Sequence, residues 1–238
     1  MEEAKPSKIP LDPGYLQTME ETSEMLPNNT QYASLVGGLL YVSVNTRPDI
    51  AASVSILGRK VSCPSQADWL EAKRVLRYLK HTLDHELILS IKSDPLTVYV
   101  DADWAGDAND RKSTSGYMLQ LNGGSIFWSS KKQTCVSLSS TEAEYIALAV
   151  CCQEVQWILR ILEDFSVPVN LPITIFEDNQ SCIKQLSSPN HWISPKQSPS
   201  TPAYFPSAIV TWLTSLSCNS RKMSRLSTMW FVAPDSTI

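Results

Sequence analysis

The stretch that most constrains the fold runs from Leu96 to Asp107 and reads LTVYVDADWAGD. Its first half, Thr97 to Val100, is β-branched and aromatic and follows Asp94-Pro95, a combination that predicts a short buried strand. The strand runs into two carboxylates, Asp101 and Asp103. A carboxylate at the end of a buried strand is costly to desolvate unless a cation or a hydrogen-bond donor satisfies it. The stretch therefore predicts a strand whose carboxyl end carries a polar site.

Two further segments carry acids where a secondary-structure element begins or ends. Glu142 and Glu144 lie at the start of a predicted helix, and Glu177-Asp178 follow the strand pattern Ile173–Phe176. A two-metal phosphodiester site needs carboxylates at the tips of separate elements, because hard divalent ions take oxygen ligands that converge from rigid supports. Each segment taken alone also fits an ordinary helix cap or a solvated loop acid. The hypothesis of a metal site rests on all three together.

Four motifs, in order, carry a resemblance to a known family: VDADWAGD, RKSTSGYMLQLNGG, SLSSTEAEYIAL and FEDNQSCI. They resemble the ribonuclease H domain of copia-type retrotransposon polyproteins. The preceding YASLVGGLLYVSVNTRPDI and ADWLEAKRVLRYLKHT look like the end of the reverse transcriptase in the same polyproteins. The resemblance runs from about Leu11 to about Asn190. It implies an α/β fold with a ribonuclease H-like mixed sheet and flanking helices, preceded by a small helical segment and followed by an irregular tail.

Composition and resemblance together predict four regions. Residues 1–30 are polar and proline-containing and are expected to form a flexible arm, and residues 31–92 resemble a helical thumb/connection remnant of reverse transcriptase. Residues 95–187 correspond to a ribonuclease H-like domain that is incomplete at its C-terminal end, and residues 188–238 to an irregular Ser/Thr/Pro-rich tail. The tail lacks the fourth active-site carboxylate and the last strand and helix that the resemblance leads us to expect. The abrupt change in composition suggests a frameshift in a decaying element.

Local signals place the elements within these regions. Three helices are predicted before residue 92, with Pro48 in the first turn of the second and Ser65 capping the third. Further on, Asn122-Gly123 predicts a tight β-hairpin, and Ser139 or Ser140 is predicted to cap a long helix. The strand ending at Phe176 is expected to run parallel to the first if the resemblance holds.

The resemblance implies roles for the acids. Asp101 would bridge two Mg²⁺ ions, Asp178 would hold one of them, and Glu142 or Glu144 would supply the ligand from the helix. Two residues that are two positions apart on a helix point about 200° apart, so only one glutamate can face the metals; the order Glu-Tyr-x-Ala favours Glu144. The implied reaction is in-line hydrolysis of RNA within an RNA–DNA hybrid. Because the fourth carboxylate is missing, we expect this activity to be weak or absent.

Polar residues near these acids are candidates for contacts with the hybrid. They are Asn179 and Gln180 for the minor groove, and Ser115, Lys131, Lys132 and Gln133 for phosphates. The two lysines also fit a solvated loop. The net charge of −4 is not that of a free-standing nucleic-acid binder, which usually carries a basic excess.

The third predicted helix contains Arg74-Val75-Leu76-Arg77, which matches RxLR, the host-translocation motif of secreted oomycete effectors. The same tetrapeptide fits the copia helix pattern, with Leu76 in the core and both arginines solvated. Neither a signal peptide nor an acidic Glu-Glu-Arg stretch accompanies it. Three functions stay open: a nuclease remnant acting on an RNA–DNA hybrid, a non-enzymatic effector acting on a host protein, and a pseudogene product with no role.

The remaining observations bear on location. The N-terminal residues lack the apolar core of a signal peptide, no run has the length needed to span a bilayer, and the six cysteines contain no Cys-x-x-Cys pair. These features favour reduced thiols, an intracellular location in the cytoplasm or nucleus, no membrane partner and a monomer. The effector alternative implies secretion and a site of action in the host cytoplasm or nucleus.

Overall fold

The computed structural model describes residues 4–18, 23–89, 94–187 and 217–218. These residues group into two compact units, one drawn mainly from residues before Leu89 and the other mainly from those that follow. The helices are α1 Tyr15–Thr18, α2 Thr30–Asn45, α3 Ala51–Gly58, α4 Gln66–His81, α5 Ser140–Asp164 and α6 Gln180–Ser187, with a 3-10 turn Pro48–Ile50 before α3. The strands are β1 Thr97–Asp103, β2 Thr114–Leu121, β3 Gly124–Lys132, β4 Thr174–Phe176 and β5 Ser217–Cys218.

The first unit is a small helical core, and its three predicted helices are confirmed. Pro48 opens the 3-10 turn that leads into α3. Ser65 caps α4 through a capping box, in which the Asp68 amide donates to Ser65 Oγ and the Ser65 amide donates to the Asp68 carboxylate at 2.6 Å. The buried residues of this core include Tyr32, Val36, Leu39, Val54, Leu57, Ala72, Val75 and Tyr78.

The flexible arm predicted for residues 1–30 is wrong where the structure describes it. Leu11 and Tyr15 are buried in the same helical core. The Tyr15 hydroxyl donates a hydrogen bond of 2.5 Å to Asp68, which is itself almost fully buried. Tyr15 thus finds a partner in α4, 53 residues later in the chain, and Leu11 packs into the same core.

The second unit is built on a mixed sheet with the strand order β3-β2-β1-β4-β5. Strand β1 pairs antiparallel with β2 and parallel with β4, and α5 packs against β1 and β2. This arrangement confirms the predicted α/β class with a mixed sheet and flanking helices. The predicted hairpin turn is also confirmed, since Asn122 and Gly123 have φ values of 54° and 78°, the left-handed conformation that a tight two-residue hairpin requires.

Helix α5 lies against this sheet and is 25 residues long. Ser139 caps it by accepting a hydrogen bond from the Glu142 amide at 3.1 Å, which settles the choice between Ser139 and Ser140. By length and composition alone α5 could cross a membrane, contrary to the sequence expectation that no run is long enough. Its buried side chains, including Ala147, Cys151 and Val155, belong to the core that covers the sheet.

The last part of the chain departs from expectation in one respect. The sequence predicts that no final strand follows β4, yet Ser217–Cys218 form the short strand β5, parallel to β4 and in register with Thr174. The irregular tail predicted for residues 188–238 otherwise lies outside the described residues. The domain boundaries drawn from the sequence stay predictions.

Candidate metal centre

Three carboxylates from three separate elements converge in the second unit. Asp101 lies on β1, Glu144 near the start of α5, and Asp178 just after β4. Because β1 and β4 run parallel with Tyr99 opposite Phe176, continuing this register sets Asp101 beside Asp178. Oxygen atoms from all three side chains lie within 4.8 Å of one another. The structure thus brings together three of the four acids to which the resemblance assigns a metal-binding role.

Of the two helix glutamates, Glu144 joins this cluster and Glu142 does not. Glu144 is 5% exposed, whereas Glu142 is exposed and accepts a hydrogen bond of 2.7 Å from the Leu138 amide. The 200° between positions two apart on a helix accounts for the difference. Glu142 therefore stabilises the start of α5, where an acid is also favoured by the helix dipole.

Burial and mutual repulsion dominate the electrostatics of the cluster. Burial raises the pKa of Glu144 to about 10, with further contributions from Glu177, Asp101 and Asp178. The pKa of Asp101 is also raised, first by burial and then by the charge of Asp178. Glu144 Oε2 is buried and has no hydrogen-bond partner. A bare, buried carboxylate oxygen among other acids is costly unless a proton or a cation satisfies it.

The donor set fits a hard divalent cation. Carboxylate oxygens are the ligands that Mg²⁺ and Ca²⁺ take from proteins, whereas zinc sites usually include cysteine or histidine. Here the three converging side chains supply only carboxylate oxygens, and one of those oxygens has no hydrogen-bond partner. Asp101, Glu144 and Asp178 are therefore the residues that could hold such an ion.

A fourth acid, Glu177, was not predicted as a site residue. Its side chain is completely buried, Oε1 accepts a hydrogen bond of 2.9 Å from the Asn179 amide, and Oε2 has no partner. Burial raises its pKa to about 7, with added repulsion from Asp178 and Asp101. A sequence signal was available, because residues two apart on a strand share a face and Glu177 continues the buried series Ile173, Ile175.

The turn after β1 is held by Asp103, which lies outside the cluster. Asp103 Oδ1 accepts a short hydrogen bond from the Thr114 amide on the neighbouring strand. A Cβ atom on Gly106 would overlap the Asp103 carboxylate, so only glycine fits at this position without displacing that bond. The Trp104 indole donates to the Ser137 carbonyl at 3.1 Å, which fixes the loop before α5.

A buried amide, Gln133, connects the elements that carry the cluster. Its Nε2 donates to Ser115 Oγ and to the Ala143 carbonyl, each at 2.9 Å, and its Oε1 accepts from Ser137 Oγ at 2.9 Å. Ser115 on β2 pairs with Ala102, and Ala143 precedes Glu144. The Gln133 amide therefore ties the first turn of α5 to the strand pair that includes Asp101.

This network corrects two predicted phosphate contacts. Ser115 is 5% exposed and Gln133 is 7% exposed. The Gln133 amide donates to Ser115 Oγ and to the Ala143 carbonyl of α5, so the polar atoms of both residues are already bonded within the protein. A phosphate outside the protein cannot reach groups that are buried and already bonded. Their role is structural rather than one of contact with nucleic acid.

Replacing Gln133 with Ala is expected to lower the free energy of unfolding by about 2–3 kcal/mol, because the Ala143 carbonyl and the Ser137 hydroxyl lose their buried partner. It is also expected to weaken divalent-metal binding, since α5 is no longer tied to β2. Urea denaturation and calorimetric titration with Mn²⁺ measure the two effects. The matched control is Gln153→Ala, which changes an exposed glutamine on α5. Equal stability of the two variants would contradict this account.

Of the other side chains predicted to contact nucleic acid, two are bonded within the protein and two are exposed. Lys132 Nζ is ion-paired with Asp107 and, at 2.9 Å, with Asp110, so neighbouring carboxylates already balance its charge. Asn179 Oδ1 caps α6 by accepting from the amides of Ser181 and Cys182, each at 3.0 Å. Lys131 and Gln180 are exposed, and their contacts with nucleic acid stay predictions.

The RxLR tetrapeptide lies within the folded helix α4. Arg74 is ion-paired with Glu71 at 2.9 Å and with Asp12 at 3.1 Å, rather than solvated as expected. Val75 is completely buried, and Leu76 packs against the core of the first unit as the copia pattern predicts. The motif is therefore part of a packed helix and not an accessible linear segment.

Comparisons with known proteins give relatives in two groups. No protein-family model matches the chain. The secreted RxLR effector protein 161 of Plasmopara viticola is 49% identical over 131 residues, which are 55% of this chain and 92% of that protein. The Pol polyprotein of transposon TNT 1-94 from Nicotiana tabacum is 39% identical over 191 residues, and that of transposon RE2 from Arabidopsis thaliana is 41% identical over 178.

These alignments differ in how much of each relative they cover. The alignments with the two Pol polyproteins cover 77% and 74% of this chain but only 14% and 12% of the polyproteins. The chain therefore spans a small part of their length. Among solved structures, LC11-RNase H1 in complex with an RNA/DNA hybrid is similar over 57% of this chain and 93% of that one, at 12% identity and a TM-score of 0.35.

Proposed function

We propose that this chain, which belongs to the family of retrovirus-related Pol polyproteins from transposons, binds divalent metal through Asp101, Glu144 and Asp178. It is a ribonuclease H-like remnant of such a polyprotein. The observation that carries the proposal is the convergence of three carboxylates, from β1, α5 and the end of β4, within 4.8 Å. We take the metal to be Mg²⁺, because the ligands are all hard oxygen donors.

The reaction we propose is hydrolysis of RNA within an RNA–DNA hybrid. Bound divalent ions would supply charge stabilisation for the phosphodiester and a water molecule of lowered pKa. The chain's own contribution is to fix the acids: the β1–β4 register holds Asp101 beside Asp178, and the Ser139 cap and Gln133 hold the start of α5. The hybrid would be recognised by its shape and its 2′-hydroxyl groups rather than by base edges.

We propose that this hydrolysis is weak. The sequence contains no Asp or Glu between Asn179 and Pro234, the region where the resemblance expects a further active-site acid. Among the candidate contacts that the structure describes, Lys132 and Asn179 are already engaged by neighbouring groups and are less available to hold the hybrid.

The test is an in-gel assay in which the renatured chain degrades a labelled RNA–DNA hybrid in the presence of Mg²⁺ or Mn²⁺. We expect slow loss of the hybrid that chelation of the metal stops, and no loss of the same RNA as a single strand. Absence of both metal binding and hybrid cleavage by the folded chain would overturn the proposal. Equal degradation of single-stranded RNA would point to a contaminating nuclease.

A second candidate function has one specific observation in its favour. The relative from Plasmopara viticola is a secreted effector by name, and this chain covers 92% of it. A non-enzymatic effector would act on a host protein, and Arg74 and Arg77 would serve its entry into the host cell. Against this stands the packing of the tetrapeptide within α4.

The arginine motif can be tested apart from the metal site. Under the effector hypothesis, Arg77→Ala is expected to reduce uptake of a reporter fusion by host cells severalfold, while Lys80→Ala, exposed on the same helix, leaves it unchanged. A host phenotype should then survive Asp101→Asn. We expect instead that Arg77→Ala and Lys80→Ala show the same uptake, because the motif is part of a folded helix. Selective loss of uptake in Arg77→Ala would favour the effector.

A further inference from the structure

Helix α4 separates its acids from two of its bases. Its only acids, Asp68 and Glu71, are buried, and both accept hydrogen bonds from within the first unit. Val75 is completely buried, and Lys73 and Arg77 each lie two positions from it, about 200° around the helix. Both bases are partly exposed. They therefore lie on the side of α4 that is turned away from the helical core.

Lys73 and Arg77 differ from Arg74, which pairs with two acids. Among the residues that the structure describes, no carboxylate lies within ion-pair distance of Lys73 or Arg77, and Arg77 Nε has no hydrogen-bond partner. The Lys73 ammonium lies 4.6 Å from the centre of the Trp69 ring. Such a cation–π contact holds the charge in place without neutralising it. The positive charges of Lys73 and Arg77 are therefore not balanced by the described acids.

Lys80 extends the same side of the helix. It is exposed and lies three positions after Arg77, so Lys73, Arg77 and Lys80 form a row at positions i, i+4 and i+7, which we call the basic face of α4. The row is about 10 Å long, close to the distance over which salt screens charges at about 0.1 M, so the three charges act together on one ligand. The net charge of −4 describes the whole chain and not this face.

We propose that the basic face of α4 binds the phosphate backbone of a nucleic-acid duplex. A duplex carries one negative charge per about 1.7 Å of its axis, so a straight row of cations meets several phosphates without reading base edges. An acidic protein surface has no such regular repeat. The site goes beyond the proposed function, because it lies in the first unit and needs no metal. It also gives Arg77 of the RxLR tetrapeptide a phosphate as its ligand.

The experiment measures binding of the full chain to a short labelled DNA duplex, and to an RNA–DNA hybrid of the same sequence, by fluorescence anisotropy. Chelator is present throughout, so that the metal centre does not contribute. Three phosphate contacts predict that the logarithm of the binding constant falls with the logarithm of the salt concentration with a slope of about −2.7. We expect Lys73→Ala and Arg77→Ala each to weaken binding about five- to tenfold near 0.1 M salt and to reduce the slope by about 0.9.

Two kinds of control separate the basic face from general charge and from packing. Lys8→Ala removes an exposed positive charge from the first unit outside α4, and it should change binding by less than about twofold. Lys73→Arg and Arg77→Lys keep the charge and should bind within about twofold of the wild type, since phosphate contacts of this kind depend on charge. If Arg77→Ala does not fold, Arg77→Gln is measured in its place.

The outcomes distinguish this inference from the proposed function. Wild-type affinity and slope in both Lys73→Ala and Arg77→Ala overturn the inference. Binding of polyglutamate of matched charge as tightly as the duplex also overturns it, because the face would then attract any polyanion. Loss of duplex binding in the two variants, with Mn²⁺ affinity unchanged, supports a site separate from the metal centre. A chain that binds the duplex through α4 but binds no Mn²⁺ overturns the proposed function and supports this inference.

Discussion

Replacing Asp101 with Asn is expected to remove metal-dependent hybrid cleavage entirely and to weaken Mn²⁺ binding by on the order of a hundredfold. The substitution preserves the shape of the side chain and removes the charge of the acid on β1 that stands beside Asp178 and within 4.8 Å of Glu144. An amide cannot supply the anionic oxygen that a hard cation prefers. The measurements are the in-gel hybrid assay and calorimetric titration with Mn²⁺.

The matched control for Asp101→Asn is Asp103→Asn, two residues later on the same strand. Asp103 accepts a hydrogen bond from the Thr114 amide and lies outside the group of converging acids. Asparagine can still accept that bond, so metal affinity should stay within a few-fold of the wild type. If Asp101→Asn cleaved the hybrid at the wild-type rate, the metal site would have no part in the reaction. Equal loss in both variants would indicate a general charge effect.

The sequence predicted the three converging acids because each lies at a local signal. β-Branched residues before Asp101, a serine cap before Glu144 and the short strand before Asp178 are patterns within ten residues of the acid they position. Choosing Glu144 over Glu142 needed only the angle between helix positions. Convergence followed once β1 and β4 were taken as parallel neighbours, since parallel strands present their carboxyl ends at one edge of a sheet.

The buried polar groups could not be predicted in the same way. Ser115 and Gln133 are polar residues on either side of the predicted hairpin, a pattern that surface and buried positions share. Their burial depends on α5 covering β2, which is a tertiary contact. Glu177 was passed over because an acid next to a turn is ordinarily solvated. Only alternation with Ile173 and Ile175 indicated otherwise.

Long-range partners account for the other differences. The contacts of Leu11 and Tyr15 lie in helices far along the chain, so a polar, proline-containing segment gave no sign of packing. Arg74 was expected to be solvated from its place on a helix surface, yet one of its two acid partners is Asp12, in the segment predicted to be flexible. In each case the local pattern was identified correctly and the missing information was a partner distant in sequence.

The metal-free chain is expected to lose stability as pH rises from about 4.5, the ordinary pKa of a glutamate, through about 7. Burial, with repulsion from neighbouring acids, raises the pKa of Glu177 to about 7 and that of Glu144 to about 10. The folded chain therefore keeps protons that the unfolded chain has already released. In that interval each group lowers the free energy of unfolding by up to about 1.4 kcal/mol per pH unit.

The direction of this pH dependence follows from which state of the chain, folded or unfolded, binds the proton more tightly. The contribution of Glu177 is fully present below about 4.5 and is lost as pH passes through about 7, while that of Glu144 continues to fall toward about 10. Asp49 acts in the opposite direction. Burial would raise its pKa, but hydrogen bonds from Arg47 outweigh burial and lower it below 3.8, so its contribution is complete before this interval begins.

Divalent metal should reverse the trend, because a cation binds the deprotonated acids and removes their repulsion. Urea denaturation at about pH 5, 6 and 7, in chelator and in saturating Mn²⁺, measures both dependences. In chelator the free energy of unfolding falls with pH, and the gain from Mn²⁺ grows with pH. Glu144→Gln combined with Glu177→Gln should flatten both curves. Metal-free stability that stays level or rises between about pH 5 and 7 would mean that the buried acids do not retain their protons, and that the mutual repulsion attributed to the cluster is absent.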